Sequence, residues 1–306
     1  MWAPERVLRV LRDRGDLWQA APGLIGLRGA TLGLYSAIER AVLALAAAES
    51  HEEWRVPAGI ALETLERADY FKSFPQWLTL ASHLRDDEPA LERVARSPNP
   101  SAAARTSVAP ADAALAPAVC YHVYSALAGT VVAVPRVVTA QSICWRHEGR
   151  RVVPLERDAA FLMREIVCVG SAAEVDAFVA RGERRACDLA AQLELDVTVR
   201  EATDPFFPAT ARGRELLQRV KGLKRELRAT LAPGREMAAS SFNHHETFFG
   251  TAFDIRLPDG TTASSGCAAF GLERWTLAFL IAHGPEPAGW PSVSEAAATC
   301  RERVVA

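Results

Sequence analysis

The spacing of apolar residues divides the chain into segments of different type. Between Gly29 and Ser50, apolar residues recur every three or four positions, which predicts a long amphipathic helix. Segments 137–146 and 161–169 are short and mostly apolar, and a charged loop at 147–158 joins them, so we expect two strands. Residues 97–110 are rich in proline, serine and alanine, and we expect a loop that ends a helix-rich N-terminal third.

The second half of the chain carries clear start and turn signals. Ser171 followed by Glu174 is a capping-box signature, which predicts a helix that reaches about Leu193. The remaining patterns predict a strand at 195–200, a basic amphipathic helix at 213–231, strands at 253–257 and 261–270 around the turn at 258–260, and a buried helix at 272–282. Strands that follow one another through hairpins, with helices placed irregularly, favour an α+β fold with an antiparallel sheet.

Composition fits a globular protein and gives no sign of a nucleic-acid surface. The chain has 306 residues, of which 49% are hydrophobic and 24% charged, so disorder is not expected. The 35 lysines and arginines nearly balance the 37 aspartates and glutamates. Because nucleic-acid binding depends on excess positive charge, a long tRNA contact is not favoured.

Neither a membrane segment nor a disulfide framework is expected. The first 15 residues contain four arginines and so lack the apolar core of a signal peptide, and no run reaches the roughly 18 apolar residues of a membrane span. The six cysteines are scattered, which favours a reducing cytoplasm. They are Cys120, Cys144, Cys168, Cys187, Cys267 and Cys300.

The densest group of charged residues lies at 144–165. Two antiparallel strands would place Arg146 and Glu148 on one face, since alternate residues share a face. A guanidinium pairs with phosphate oxygens and a carboxylate accepts from an adenine amino group, so this face suits a nucleotide. A solvated charged hairpin explains the same residues equally well.

A second candidate lies where a strand passes through glycine into an apolar helix, at 266–275. Arg274 stands in the first turn of that helix among apolar residues, where the backbone already favours anions. A ligand would explain an arginine at this position. A surface ion pair is the alternative.

These two candidates together resemble a known pair of motifs. Trp145-Arg-x-Glu148, a loop, Arg157-x-x-x-Phe161 and Gly271-x-Glu273-Arg274 are similar to motifs 2 and 3 of class II aminoacyl-tRNA synthetases. The resemblance implies an ATP-binding set of Arg146, Glu148, Arg157, Phe161, Glu236 and Arg274.

The same resemblance implies a role for each residue of this set. Arg146 would hold the α-phosphate and Glu148 the adenine amino group, with Arg146, Glu148 and Arg274 as the catalytic residues. Phe161 and Arg274 would sandwich the adenine, and Arg157 would approach the outer phosphates. Glu236 matches the acidic position for Mg²⁺, with Ser240 assisting. Motif 1 is represented only by Val56-Pro57, which would lie at a homodimer interface.

A narrower resemblance covers the chain from about residue 20 to about 290. Segments around Cys120, 163–170, 204–207, 241–245 and 266–274 look like the amino acid:carrier-protein ligases, stand-alone relatives of the atypical, zinc-containing seryl-tRNA synthetases. The implied fold is a class II synthetase-like catalytic domain over residues 1–306. Its helix-rich part would span 1–96, and its nucleotide- and zinc-binding core would span 111–290.

The narrower resemblance also implies a zinc site. Cys120, Glu165 and Cys267 match the family's ligands, and they leave one coordination position open for the substrate α-amino group. Any one of these cysteines could instead be a buried apolar residue. Ser241, Asn243 and His245 would line the amino-acid pocket.

Two further segments carry open alternatives. Adjacent His244 and His245 point to opposite faces of a strand and cannot easily hold one ion together. Residues 204–207 form either a pocket wall or a turn in the core. The basic helix expected at 212–228 is either a docking face for an acidic partner or a solvated helix face.

The implied activity is an ATP-dependent, AMP- and pyrophosphate-forming amino acid ligase. A small amino acid, glycine or alanine, would become an aminoacyl-adenylate and pass to the thiol of a phosphopantetheinylated carrier protein. Residues 1–60 offer no coiled coil for tRNA, which makes tRNA an unlikely partner. The alternatives are a seryl-tRNA synthetase-like enzyme, an adenylating ligase with another small-molecule acceptor, and a catalytically silent paralogue.

Overall fold

The structure is a computed structural model. It describes residues 1–47, 49, 51–133, 135–149 and 151–305, and the side chains of 208–212, 214, 217 and 301–305 lie outside the description. The helices are α1 (Pro4–Arg14), α2 (Gly29–Ala46), α3 (Leu62–Arg67), α4 (Tyr70–Ser73), α5 (Glu88–Ala95), α6 (Pro100–Arg105), α7 (Cys120–Ala126), α8 (Ala172–Gln192), α9 (Pro208–Lys221), α10 (Phe248–Phe253), α11 (Leu272–His283) and α12 (Val293–Val305). The strands are β1 (Leu17–Ala21), β2 (Leu24–Leu27), β3 (His51–Arg55), β4 (Gly59–Ala61), β5 (Thr79–Ala81), β6 (Ala113–Leu115), β7 (Arg136–Trp145), β8 (Ala160–Gly170), β9 (Val197–Glu201), β10 (Lys224–Ala232), β11 (Arg235–His244) and β12 (Ser264–Gly271).

One large sheet organises the fold. Among the described residues it has seven strands in the order β3-β7-β8-β12-β11-β10-β9. Neighbouring strands are antiparallel except β3 and β7, which are parallel. The predicted antiparallel α+β architecture is therefore confirmed.

Alternation along β8 gives the sheet two different faces. Ile166 and Cys168 pack into the core formed with helices α2, α8, α11 and α12. Val167 and Val169 point the other way, into a second core with α7 and α10. Because successive strand residues face opposite sides, the odd-numbered residues Phe161 and Glu165 share the second face, which carries the functional cavity.

The predicted start of helix α8 is confirmed in detail. The Oγ of Ser171 accepts a hydrogen bond from the Glu174 N–H at 3.4 Å, and the Glu174 carboxylate accepts from the Ser171 N–H at 2.8 Å. The two residues form a capping box, which satisfies backbone donors that a helix start otherwise leaves unpaired. The helix then lays Val175, Phe178 and Leu189 on the sheet.

The N-terminal part contains strands as well as the expected helices. β1 and β2 form a hairpin, and β4, β6 and β5 form a three-stranded sheet. The loop predicted at 97–110 contains helix α6. Asn99 caps this helix by accepting from the Ala102 N–H at 3.2 Å, and Pro100 fits the first turn because its missing N–H needs no partner there.

The basic helix predicted at 213–231 is wrong in its second half. Helix α9 ends at Lys221, because Gly222 adopts a left-handed conformation at φ 60° that caps it. The chain then turns into β10, where Leu227, Ala229 and Leu231 alternate into the core. The arginines and lysines of 212–228 therefore do not share one helical face, and the side chains of Arg212 and Arg214 lie outside the described residues.

Two smaller predictions also need correction. Residues 253–257 do not form a strand, since Phe253 ends α10 and the turn at 258–260 is flanked only by the single bridge between Arg256 and Thr262. Strand β7 ends at Trp145, so Arg146 and Glu148 follow the strand rather than alternating on it. Cys120, one of the implied zinc ligands, is the first residue of helix α7.

Candidate functional site

One cavity of about 660 Å³ opens on the second face of the large sheet. Every side chain that the sequence assigned to ATP, metal or amino acid lines it: Cys120, Arg146, Glu148, Arg157, Phe161, Glu165, Glu236, Ser241, Asn243, His245, Cys267 and Arg274. Residues from β8, β11 and β12, from the loop between β7 and β8, and from α7 and α11 thus meet in a single space.

Arg146 stands at the centre of this cavity. Its Nε donates to the carbonyl of Pro117 at 3.1 Å, which orients the guanidinium. That guanidinium lies 5.0 Å from the ring centre of Trp77 and 5.3 Å from that of Phe161. Contacts of this kind hold a cation between aromatic faces and leave its outer N–H groups available to an anion.

Glu148 and Arg157 form an ion pair beside Arg146. Arg157 Nη1 lies 3.2 Å from Glu148 Oε2, and the Glu148 side chain is largely buried while Arg157 is exposed. The loop between β7 and β8 therefore folds back over the cavity. It presents one carboxylate inward and one guanidinium toward the mouth.

Arg274 lies in the first turn of α11 and is aimed into the same space. Its side chain donates to the carbonyls of Glu156 at 2.9 Å and Ala238 at 2.8 Å. Burial, together with Arg146 and Arg157, lowers the pKa of Arg274 to about 10. Arg146 and Arg157 thus destabilise the charge of Arg274, and a space that collects three guanidinium groups favours an anion.

Cys120, Glu165 and Cys267 come together as a buried triad. Their ligand atoms all lie within 4.8 Å of one another, and the three side chains are almost fully buried. Glu165 Oε1 accepts from the Val119 N–H at 2.8 Å, which fixes the carboxylate against the start of α7.

The chemistry of this triad fits a bound divalent cation. Burial raises the pKa of the Glu165 carboxyl, and a hydrogen bond to Cys267, burial and Glu165 raise the pKa of the Cys120 thiol. The second oxygen, Glu165 Oε2, is buried and has no hydrogen-bond partner. Two buried thiols and a buried carboxyl, with one carboxyl oxygen left unpaired, fit the donor set of a catalytic zinc.

Polar and aromatic side chains surround the triad. Asn243 Nδ2 donates to Ser241 Oγ at 3.1 Å and to Cys267 Sγ at 3.4 Å. His245 Nδ1 lies 3.1 Å from the Tyr124 hydroxyl, and burial lowers the pKa of His245 to about 4, so the ring is neutral. These groups can orient a small polar substrate without adding charge.

The two adjacent histidines face different partners. His244 Nε2 lies 3.0 Å from Asp176 of helix α8, whereas His245 contacts Tyr124 near the triad. They do not converge on one point, in agreement with the expectation from strand geometry.

Glu236 lies on β11 but is not a free carboxylate. Arg200 Nη2 is 2.7 Å from one of its oxygens and Arg228 Nε is 3.3 Å from the other. Ser240 is buried deeper in the strand, where it accepts from the indole N–H of Trp275 at 2.9 Å.

Comparisons with known proteins identify the family of the chain. No family model matches the chain. Amino acid–acyl-carrier-protein ligase 2 of Bradyrhizobium diazoefficiens is 34% identical over 88% of the chain and 81% of its own length. Ligase 1 of the same organism is 32% identical over 86% of the chain and 82% of its own length. The chain belongs to the amino acid–acyl-carrier-protein ligases.

The fold of this ligase is that of a class II synthetase catalytic domain. The crystal structure of M. kandleri seryl-tRNA synthetase with A. aeolicus tRNASec matches it with a TM-score of 0.85 and 23% identity. The match covers 95% of the ligase and 59% of the synthetase chain. Among the described residues of the ligase, no helix has the length and apolar character to cross a membrane.

An aromatic wall of the ligase was missed by the sequence analysis. Phe206 stacks on Phe74 with ring centres 5.1 Å apart, and Phe74 stacks on Trp77 at 5.5 Å. The wall ends at Arg146, which Trp77 contacts. Residues 204–206 are therefore a pocket wall, and no local pattern could pair Phe74 with a ring so distant in sequence.

A partly buried ion pair was also missed. Lys224 Nζ lies 2.5 Å from Asp204 Oδ1, and Gln218 Nε2 donates to the other Asp204 oxygen at 2.7 Å. The pair holds the 204–206 wall to strand β10. Lys224 gave no distinct signal, because it belongs to the basic segment 212–228 that was expected to be either a docking face or a solvated helix face.

Proposed function

We propose that the chain activates a small amino acid with ATP and transfers it to the phosphopantetheine thiol of a carrier protein. Family membership makes the chain an ATP-dependent amino acid ligase. The observation that supports the full proposal is the meeting of a three-arginine anion site with a buried Cys/Glu/Cys triad in one cavity.

The proposed first step is adenylate formation. A carboxylate oxygen of the amino acid attacks the α-phosphorus of ATP, the bond to the β-phosphate breaks, and pyrophosphate leaves. Arg146 stabilises the charge on the α-phosphate, Glu148 accepts from the adenine amino group, and Phe161 and Arg274 stack on the base. No general base is needed, because the substrate carboxylate is already ionised.

The triad orients the amino acid for this attack. Cys120, Glu165 and Cys267 would hold a zinc ion, which supplies a Lewis acid for the α-amino group when bound. Ser241, Asn243 and His245 line the same pocket and would contact the substrate. The aromatic rings of Tyr124 and Phe249 stack at 4.1 Å behind His245, which supports a small side chain such as that of glycine or alanine.

Glu236, which pairs with Arg200 and Arg228 in the free chain, would exchange an arginine for Mg²⁺, an ion that offsets phosphate charge when bound. Arg157, on the loop at the mouth, is placed to approach the outer phosphates. In the proposed second step the carrier thiolate attacks the carbonyl carbon of the adenylate and AMP leaves.

The decisive experiment is amino-acid-dependent exchange of labelled pyrophosphate into ATP, across the twenty standard amino acids. We expect exchange with one small amino acid, and a loss of about 100-fold or more in Arg146→Ala and Arg274→Ala. Arg136→Ala is the matched control. Arg136 begins β7, the strand that ends just before Arg146, and it pairs with exposed Glu52 outside the cavity. Full activity in either cavity variant would place the nucleotide elsewhere.

The acceptor needs a separate test. Transfer of the labelled aminoacyl group would be followed to a phosphopantetheinylated carrier protein and, in parallel, to tRNA. Labelling of the carrier supports the proposal, whereas labelling of tRNA alone would replace it with the seryl-tRNA synthetase-like alternative.

Metal content tests the triad. We expect about one zinc per chain in the purified protein, lost in Cys267→Ser and kept in Cys187→Ser, whose cysteine is outside the triad. A metal-free protein whose activity is unaffected by chelator would remove zinc from the proposal.

A further inference from the structure

A row of alternating charges runs along the cavity side of β10 and β11. Arg228 Nη1 lies 2.7 Å from Glu226 Oε2, and Arg228 Nε lies 3.3 Å from Glu236 Oε2. Glu226 in turn lies 3.5 Å from Lys224. One guanidinium is therefore held between two carboxylates on the wall of the cavity.

The strand geometry explains why these charges share a face. Lys224, Glu226 and Arg228 occupy alternate positions of β10 and line the cavity. The intervening Leu227 is buried in the core behind the sheet. Arg225, on that opposite side, pairs with Glu183 of helix α8 at 2.6 Å.

Arg228 is the accessible cation of this row on the cavity wall. Its side chain is 31% exposed, compared with 11% for Lys224, which is committed to Asp204. An ion pair that remains in contact with water contributes little to stability. Replacing a carboxylate partner of Arg228 by another anion therefore costs little free energy. A polyphosphate offers more charge than a carboxylate and accepts both arms of a guanidinium.

We propose that Arg228 is a further contact for the outer phosphates of ATP, held by Glu226 and Glu236 until the nucleotide binds. The inference rests on the proposed function, since it assumes that ATP occupies this cavity. Glu236 shares Arg228 with Glu226 and lies at the position expected for Mg²⁺, so the phosphate tail and Arg228 meet at the same end of the cavity.

Comparing ATP with AMP separates this role from a structural one. Binding of each nucleotide to the full chain, with Mg²⁺ present and no amino acid, would be measured by calorimetry. In Arg228→Gln we expect ATP binding about 10-fold weaker and AMP binding unchanged, because AMP lacks the outer phosphates. Arg225→Gln, on the same strand but facing α8, should change neither.

Two more variants keep the test sharp if Arg228→Gln folds poorly. Arg228→Lys keeps the positive charge but loses the two-armed guanidinium geometry. It should weaken ATP binding less than Arg228→Gln does. Glu226→Gln frees Arg228 from one carboxylate, and should leave ATP binding unchanged or strengthen it. A loss in Glu226→Gln equal to that in Arg228→Gln would mean that the row is only structural and would overturn the proposal.

The remaining outcomes are also decisive. Equal weakening of ATP and AMP in Arg228→Gln, or no weakening of either, overturns the role of Arg228 and leaves the proposed function intact. Failure of the unsubstituted chain to bind ATP overturns both.

Discussion

Leu155 shows how the loop over the cavity keeps its shape. It is fully buried and has φ 64°, a left-handed conformation that a leucine rarely adopts. Its N–H donates to Asp158 Oδ2 at 2.9 Å, whereas Asp158 Oδ1 is buried without a partner. Asp158, one residue after Arg157, therefore holds a strained turn at Leu155, just before the arginine at the cavity mouth.

The proton on Asp158 should make stability depend on pH. Burial raises the pKa of Asp158 to about 7 from an ordinary 3.8, so the folded protein keeps a proton that the unfolded chain has lost in this window. Stability contributed by this residue therefore falls as pH rises from about 4 to about 7. Asp158→Asn keeps an acceptor for Leu155 and removes the titration.

We compare the unfolding free energy of Asp158→Asn with that of the unsubstituted chain. The difference should shift in favour of Asp158→Asn by about 1 to 2 kcal/mol when the pH rises from about 5 to about 7.5. Urea unfolding at both pH values measures this gain. The exposed Asp13→Asn is the control and should show none. A difference that is the same at both pH values would contradict the buried-proton explanation.

At the scale of elements, strong local signals were predicted correctly and one competing signal was not. The capping box, the long helix α2 and the strands β7 and β8 followed from periodicity and caps. At 213–231, Leu216, Val220, Leu223, Leu227 and Leu231 fit helical spacing. Leu216 and Val220 are exposed in α9, whereas Leu227 and Leu231 are buried in β10, so pairing between strands overrode the local pattern.

The capping box of α8 predicts a measurable loss. Ser171→Ala removes the side-chain acceptor at the helix start and should cost about 1 kcal/mol of unfolding free energy. Glu174→Gln keeps an acceptor for the Ser171 N–H and should cost clearly less. Urea denaturation compares the two, and equal losses would contradict the reciprocal geometry.

The site was more predictable than the wall that encloses it. Arg146, Glu148, Phe161 and Arg274 belong to motifs with short internal spacing, and the structure brings them into one cavity. The stack of Phe74 on Phe206 joins residues 132 positions apart, and only the folded chain brings them together. Tertiary contacts of this kind leave no periodic trace in a single sequence.

At the scale of the whole molecule, that stack joins the N-terminal part to the core. The Phe207 N–H donates to the Ser73 carbonyl at 2.8 Å, and Gln76 Nε2 donates to the Pro205 carbonyl at 2.9 Å. Aromatic stacking adds to these bonds. Segments 70–77 and 204–207 therefore close one side of the cavity as a unit.

Phe206→Ala should open this side. We expect the free energy of global unfolding, or that of local opening of this side, to fall by about 2 to 4 kcal/mol, since the substitution removes a stacked, partly buried ring. Hydrogen exchange in 70–77 should accelerate. Phe71→Ala, an exposed phenylalanine of α4, is the control, and equal exchange rates in both variants would contradict the idea.

The position of Val56-Pro57 leads to a prediction about assembly. These residues follow β3, which is one of the two edge strands of the large sheet among the described residues. We expect a homodimer through this region, with a light-scattering mass twice that of one chain. A monomeric mass over the whole accessible concentration range would rule the dimer out.

The place of β12 in the sheet has a consequence for synthesis on the ribosome. β12 lies between β8 and β11, yet along the chain it follows every other strand of the sheet that the structure describes. Until β12 emerges from the ribosome, β8 and β11 each have an unpaired edge, and unpaired strand edges promote aggregation. Because β12 also carries Cys267, a nascent chain closes its sheet and brings Cys267 to Cys120 and Glu165 in the same event.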